Sequence, residues 1–351
     1  MNTLEILQRW GAGYKPNLEA QKFLLAQELA LPEKAQVFGI TTSNGLGIMV
    51  QRNHLFQAIS SGVVELCQSL DCYDPEQTLL TLWNFWLPWA ILLAQKRANL
   101  NRPFVQGIMG GQGTGKTTLA EVTKLILQHQ GYSVVSISID DLYKTYKERQ
   151  KLQEQDNRLI WRGPPGTHDV DLGIELLDNL RQGEPDEIIS IPRFDKSAYG
   201  GAGDRTKSEQ VSNIDIVLFE GWFVGVRPIP QSAFNEPPAP IITPEDKKFA
   251  QDMNAALQAY LPLWERLDSL LVLHPVDYRL SKQWRQEAER KMIALGKSGM
   301  SDGEIGRFVD YFWQALHPEL FIEPLVNSQW VDMVVEIDAS HLPGKIYGNC
   351  Y

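Results

Sequence analysis

Hydrophobic positions along the chain change their rhythm near residue 100. Before it, apolar residues recur at helical spacing, with helix-forming runs around 17–30 and 75–97. The densest stretch, "LWNFWLPWAILLA" over 82–94, is too short to span a bilayer and carries Asn84 and Pro88. It predicts a buried helix kinked at the proline and entered through Asp74-Pro75-Glu76-Gln77. After residue 103 short continuous apolar runs take over: "FVQGIM", "YSVVSISI", "EIISI", "DIVLFE", "SLLVL" and, at 332–337, "DMVVEI". Helical patterns separate them. Runs of this kind belong to strands buried on both faces, so the pattern predicts an α/β fold with a mainly parallel sheet flanked by helices. The chain thus divides into an N-terminal helical extension, 1–100, and an α/β region, 101–351.

Turn chemistry adds three boundaries. The Pro-rich "NEPPAPIITPED" (235–246) predicts a surface insertion that ends at a Thr243-Pro244 helix start. Ser301-Asp302-Gly303-Glu304 is a capping box opening the last long helix. Asp277 predicts the start of the basic helix that precedes it.

Composition narrows the class. With 351 residues and 43% apolar content the chain can build a full core. A net charge of −10 and a pI near 5.2 argue against nucleic acid as a partner. The three cysteines, Cys67, Cys72 and Cys350, have no metal-ligand spacing and fit a reducing compartment. "MNTLEILQRWGAGYK" lacks the features of a signal peptide. A cytoplasmic protein without membrane partners is expected.

The strongest chemical signal is "GIMGGQGTGKTT". It contains Gly110-x-x-x-x-Gly115-Lys116-Thr117, directly after an apolar run and directly before the helical "LAEVTKLIL". Strand, loop and helix in that order define a phosphate-binding loop. Gly110, Gly111, Gln112, Gly113, Thr114, Gly115, Lys116, Thr117 and Thr118 are its nucleotide-binding candidates. Glycines let backbone N–H groups turn toward phosphates, and the helix N-terminus adds a favourable dipole. Lys116 is placed for the β and γ phosphates and the Thr117 hydroxyl for Mg²⁺. No Asn-Lys-x-Asp guanine-reading element occurs, which favours ATP.

Nucleotide binding alone fits a kinase, a switch or a motor. Asp140 and Asp141 fall at the carboxyl end of a predicted strand, where ligands of open α/β sheets bind. An acceptor hydroxyl needs a carboxylate to orient it and take its proton. Alternation sends adjacent side chains to opposite sides, so one Asp serves chemistry and the other caps the next helix. "IDIVLFEGW" ends a buried strand at Glu220, where a second acidic residue can approach Mg²⁺. A pure switch has no need of such an acceptor pocket.

"GGQGTGKTT", "SIDDLYKT", "RGPPGTHD", "IPRFDKSAYGGAGDR" and "LFEGWFVG" occur in an order that resembles D-glycerate 3-kinase of the plant and cyanobacterial type. That family belongs to the P-loop kinases related to uridine kinase, phosphoribulokinase and pantothenate kinase. The similarity covers roughly residues 100 to 340. It implies transfer of phosphate from ATP to D-glycerate, giving 3-phosphoglycerate. It also implies that the α/β region is a P-loop kinase domain with a helical lid around 275–300. The related kinases' Asp-x-[Phe/Leu]-Tyr signature matches Asp140-Asp141-Leu142-Tyr143, which makes Asp140 the base and adds Tyr143 to the acceptor site. Their acceptor segments match Thr167-His168-Asp169 and Pro192-Arg193-Phe194-Asp195, implying acceptor contacts at His168, Asp169, Arg193 and Asp195. The alternative is the same chemistry on a nucleoside, a pantothenate-like acid or a sugar phosphate.

Glycerate carries a carboxylate and two hydroxyls, so its site needs cations and hydroxyl acceptors. Arg193, Lys196 and Arg205 can supply charge, and Gly200, Gly201 and Gly203 allow close backbone approach. In the lid, Arg279 and Arg285 are candidates to meet the transferring phosphoryl group, with Arg285 placed among the catalytic residues. "FVDYFWQALHP" (308–318) predicts core packing and leaves His317 without a role.

Overall fold

Among the described residues six α-helices precede the first strand: α1 (Thr3–Gly11), α2 (Leu18–Leu29), α3 (Pro32–Val37), α4 (Gly45–Ser69), α5 (Pro75–Thr81) and α6 (Leu87–Ala98). The computed structural model describes residues 2–348 apart from 71, 73, 185 and 295–299, so Cys350 and part of the predicted lid lie outside the described residues. Side chains of Asn2, Asn17 and Asp74 accept from the N–H groups of Leu4, Ala20 and Gln77 and fix three of the starts. Between α5 and α6 the chain makes a π-helical turn, Leu82–Trp86, just before Pro88. Proline lacks an N–H and crowds the preceding turn, and the wider π turn accommodates both defects. The expected buried helix is there, with a π turn just before its proline.

The α/β region runs β1 (Phe104–Gly110), α7 (Lys116–His129), β2 (Val134–Ser138), α8 (Tyr146–Gln155), α9 (Val170–Gln182), β3 (Ile189–Asp195), β4 (Asp204–Val211) and β5 (Ile216–Gly221). It continues through α10 (Pro244–Ala256), α11 (Leu261–Trp264), β6 (Ser269–Pro275), α12 (Leu280–Ala294), α13 (Asp302–Ala315), α14 (Pro318–Val326), β7 (Met333–Ile337) and β8 (Pro343–Tyr347). Six strands form one sheet in the order β2-β5-β1-β6-β7-β8. All neighbours are parallel except β8, which returns antiparallel to β7.

Alternation explains why the sheet strands read as unbroken apolar runs. Ile108, Leu218, Leu271 and Val335 point to the face covered by α7 and the N-terminal helices. Val105, Val217, Val272 and Val334 point to the other face, into a cluster shared with α9, α10, α13 and α14. The helices before residue 100 therefore close one side of the sheet. Within them Arg52 and Glu28 form an ion pair with side chains only 1% and 2% exposed.

Two expectations need correction. The run "EIISI" is not part of the parallel sheet; its strand β3 pairs antiparallel with β4 in a separate two-stranded ribbon. Ile188 beside it is 69% exposed, and β4 has no fully buried residue, so this ribbon has one wet face. The basic helix begins at Leu280 and not at Asp277, whose carboxylate instead caps a turn by accepting from the Arg279 N–H. His317, left without a role by its sequence, caps α14: its Nδ1 accepts from the Glu319 N–H. The starts at Thr243 and Ser301 are formed as their sequences require.

Candidate active site

The phosphate loop joins β1 to α7 at the carboxyl edge of the sheet. Gly113 and Gly115 take φ of 80° and 84°, which side chains disfavour and which turn the loop's N–H groups inward. Gly110 is fixed by contact: a Cβ there would stand 2.5 Å from Thr114 Oγ1. Lys116 Nζ folds back to donate to the Gly111 carbonyl at 2.9 Å. Burial draws the Lys116 pKa down, and the carboxylates of Glu220 and Asp140 oppose that pull. Lys116, Glu220 and Asp140 therefore form one electrostatic cluster. Strand order explains it, because β2, β5 and β1 are neighbours and each ends at this edge.

The two aspartates after β2 divide their work. The Asp141 carboxylate accepts from the Ser138 N–H, closing a capping box, and pairs with Arg193 at 2.8 Å. The Asp140 carboxylate takes Lys196 Nζ at 2.7 Å and the Tyr143 hydroxyl. Burial alone would raise the Asp140 pKa, but Lys196 and that hydroxyl bond hold it below the usual range. Burial raises the pKa of Glu220, with Lys116 and a bond to the Ser138 side chain opposing.

Around this cluster the other sequence-predicted residues are placed as follows. His168 is buried and stacks on Tyr143, with ring centroids 4.5 Å apart, and burial pushes its pKa down to about 3. Its Nδ1 lies 2.8 Å from the Tyr260 hydroxyl. Asp169 caps α9 and accepts from Arg205, which also donates to the Tyr143 carbonyl. Arg193 is held by Asp141, by Glu209 of β4 and by the Ser136 carbonyl. Exposed Asp195 accepts from the N–H and hydroxyl of Ser197. Arg193, Arg205 and Lys196, the three cations singled out by sequence, thus each carry an acidic partner.

Residues absent from the sequence reading complete the walls. Arg149 donates to the carbonyls of Lys144, Ala202 and Gly203, and Arg162 to that of Gly201. Both guanidinium groups stand within 6.0 Å of the Tyr143 ring centroid. Arg162 opens the quoted "RGPPGTHD", so its signal was present, without a partner to give it meaning.

Helix α12 covers the phosphate loop through Trp284. A Cβ on Gly113 would lie 2.6 Å from the Trp284 Cβ, and the indole N–H donates to the Ala339 carbonyl. The His341 ring lies tilted against the same indole, centroids 4.6 Å apart, with its Nδ1 2.8 Å from the Gly113 carbonyl oxygen. Arg285 pairs with Glu289, a buried carboxylate one turn along α12, and rests over Phe308. Arg279 is paired with Asp277.

A parallel sheet of this order, a glycine-rich loop on its edge and acidic groups beside that loop define a P-loop kinase. No protein-family model matches the chain. An uncharacterized kinase of Schizosaccharomyces pombe is 35% identical over 219 residues, which cover 60% of this chain and 79% of the relative. The chloroplastic D-glycerate 3-kinase of Arabidopsis thaliana is 29% identical over 333 residues, 87% of this chain and 70% of the relative. Among solved structures, D-glycerate 3-kinase from Cryptococcus neoformans matches with a TM-score of 0.66 and 26% identity, covering 74% of this chain and 97% of that one. The chain belongs to this family of P-loop kinases, the family of D-glycerate 3-kinase, and is an enzyme that transfers phosphate to an alcohol.

Proposed function

We propose that the enzyme transfers the γ-phosphoryl group of ATP to the 3-hydroxyl of D-glycerate, with Asp140 as general base. The observation that carries this reading is the convergence of Lys116, Asp140 and Glu220 on one edge, beside a cluster of guanidinium groups around Tyr143. The family relationship supports the same substrate.

The loop from Gly110 to Thr118 wraps the phosphates, and Lys116 exchanges the Gly111 carbonyl for their oxygens. Asp140, ionised and half-buried, receives the proton of the acceptor hydroxyl as its oxygen bonds to the γ-phosphorus. The bond from that phosphorus to the bridging oxygen breaks, and ADP leaves with the electron pair. Tyr143 orients Asp140 through its hydroxyl. His168, Asp169, Arg193, Asp195, Lys196 and Arg205 shape the acceptor side.

The Thr117 hydroxyl and the Glu220 carboxylate, with the Ser138 hydroxyl bonded to Glu220, offer hard oxygen donors of the kind Mg²⁺ takes alongside phosphates. Bound there, Mg²⁺ neutralises charge on the phosphates. Helix α12 is the lid, seated on the loop by Trp284, and Arg285 would have to leave Glu289 to meet the phosphoryl group.

A coupled assay of ADP release tests the reading. D-glycerate with Mg²⁺ supports turnover; robust turnover of uridine with none of D-glycerate overturns it.

A further inference from the structure

The cations on the acceptor side are not equivalent. Lys196 is matched by Asp140 and Arg205 by Asp169. Arg149 and Arg162 have no acidic partner among the described residues, although each is only half-exposed. The acid whose charge reaches Arg149, Asp204, turns its Oδ1 to the N–H groups of Tyr146 and Arg205 instead. Arg149 feels its neighbour: burial first, then Arg162, lowers the Arg149 pKa. Two adjacent unmatched cations are unfavourable until an anion joins them.

Their free edges differ. A guanidinium has five N–H donors. Arg149 spends three hydrogen bonds on the carbonyls of Lys144, Ala202 and Gly203, so it is locked to the loop. Arg162 spends one, on the Gly201 carbonyl, which leaves a fork with the geometry for a carboxylate. Gly200, Gly201 and Gly203 all have positive φ, and this conformation turns the loop carbonyls onto the two arginines. The glycine cluster thus holds the cations, and the cations face the ligand.

Position fits the reaction. Arg162 lies 5.9 Å from the Tyr143 ring centroid and its charge reaches the Tyr143 hydroxyl, which bonds to Asp140. The unmatched guanidinium and the ionised carboxylate are therefore separated by one phenol. A short hydroxy acid can place its carboxylate at the first and its alcohol at the second.

We propose that Arg162, backed by the fixed charge of Arg149, binds the carboxylate of the acceptor and makes the enzyme select a hydroxy acid over an uncharged alcohol. This rests on the glycerate reading and extends it to a residue that the sequence did not single out. The decisive experiment compares D-glycerate with its uncharged amide, D-glyceramide, in wild type, Arg162→Gln and Arg162→Lys. Loss of a charge-assisted pair corresponds to a rise of roughly 10- to 100-fold in KM for D-glycerate. Arg162→Gln is expected to show that rise, with KM for ATP and KM for D-glyceramide within about twofold of wild type. Arg162→Lys, which keeps the charge and loses the fork, falls between the two. An unchanged KM for D-glycerate in Arg162→Gln overturns the proposal, as does an equal rise for the amide or for ATP. If the wild type itself ignores D-glycerate, the substrate reading fails and takes the proposal with it. That result differs from failure of Arg162 alone, in which the wild type turns over the acid and the variant matches it.

Discussion

Lys196 Nζ stands 2.7 Å from Asp140 Oδ2, so the carboxylate at the end of β2 is matched by a lysine whose side chain is 63% exposed. The pair keeps Asp140 ionised in spite of its burial. In the proposed reaction the protein's work is mostly positioning, and an ionised Asp140 is in the form that can orient the alcohol and accept its proton.

Removal of Lys196 exposes the opposing force. In Lys196→Ala the desolvation that raises the Asp140 pKa remains, while the charge and hydrogen bond that lower it are gone. The folded pKa of Asp140 must rise. Activity needs the ionised form, so the acid limb of the kcat/KM profile against pH moves to higher pH. A profile that stays in place contradicts the role given to Lys196.

Arg193 is predicted to behave unlike Arg162. Its bonds run to Asp141, Glu209 and Ser136, so Arg193→Ala loosens the Asp140–Asp141 turn and the β3–β4 ribbon. The cost is roughly 1–3 kcal/mol in urea unfolding, with kcat reduced and no selective rise in KM for D-glycerate. A rise confined to KM for D-glycerate would make Arg193 a ligand contact.

Gly113→Ala strikes the lid contact. The position has φ of 80°, and the new Cβ would lie 2.6 Å from the Trp284 Cβ. Backbone strain of roughly 1–3 kcal/mol adds to the clash, and binding of a non-hydrolysable ATP analogue weakens. Trp284→Gly in the same chain relieves the clash and leaves the strain, so it restores part of the affinity. Full affinity in the single variant would refute the contact.

Glu28→Ala tests the helical extension. It leaves Arg52, with a side chain 1% exposed, without its carboxylate. Loss of one partner of a buried pair costs roughly 3–5 kcal/mol, read as a lower urea midpoint, while KM for ATP stays near wild type in the protein that remains folded. Unchanged stability would mean that Arg52 finds another partner.

Sequence carried the nucleotide half of the site because the chemistry there is contiguous. A phosphate cradle is one strand, one loop and one helix start, so Gly110 to Thr118 could be read as a unit. The sheet was legible for the same reason: strands buried on both faces leave unbroken apolar runs. The β3–β4 ribbon was not, because β4 is half wet and "DRTKSEQV" has no apolar period. The acceptor half is harder to read, for a different reason. Which arginine is free depends on partners far along the chain: Glu209 occupies Arg193 across the ribbon, and Asp169 occupies Arg205 from 36 residues away. Residue type marks a cation. Only tertiary pairing tells whether its charge is available.

In the proposed reaction a phosphoryl group held at Lys116 passes to an alcohol whose proton goes to Asp140. Turnover of D-glycerate by Asp140→Asn, followed as ADP release at saturating ATP, tests it most directly. The expected result is a fall in kcat of roughly 10²- to 10⁴-fold, with KM for ATP close to that of wild type. An Asp140→Asn enzyme that turns over at the wild-type rate would contradict it.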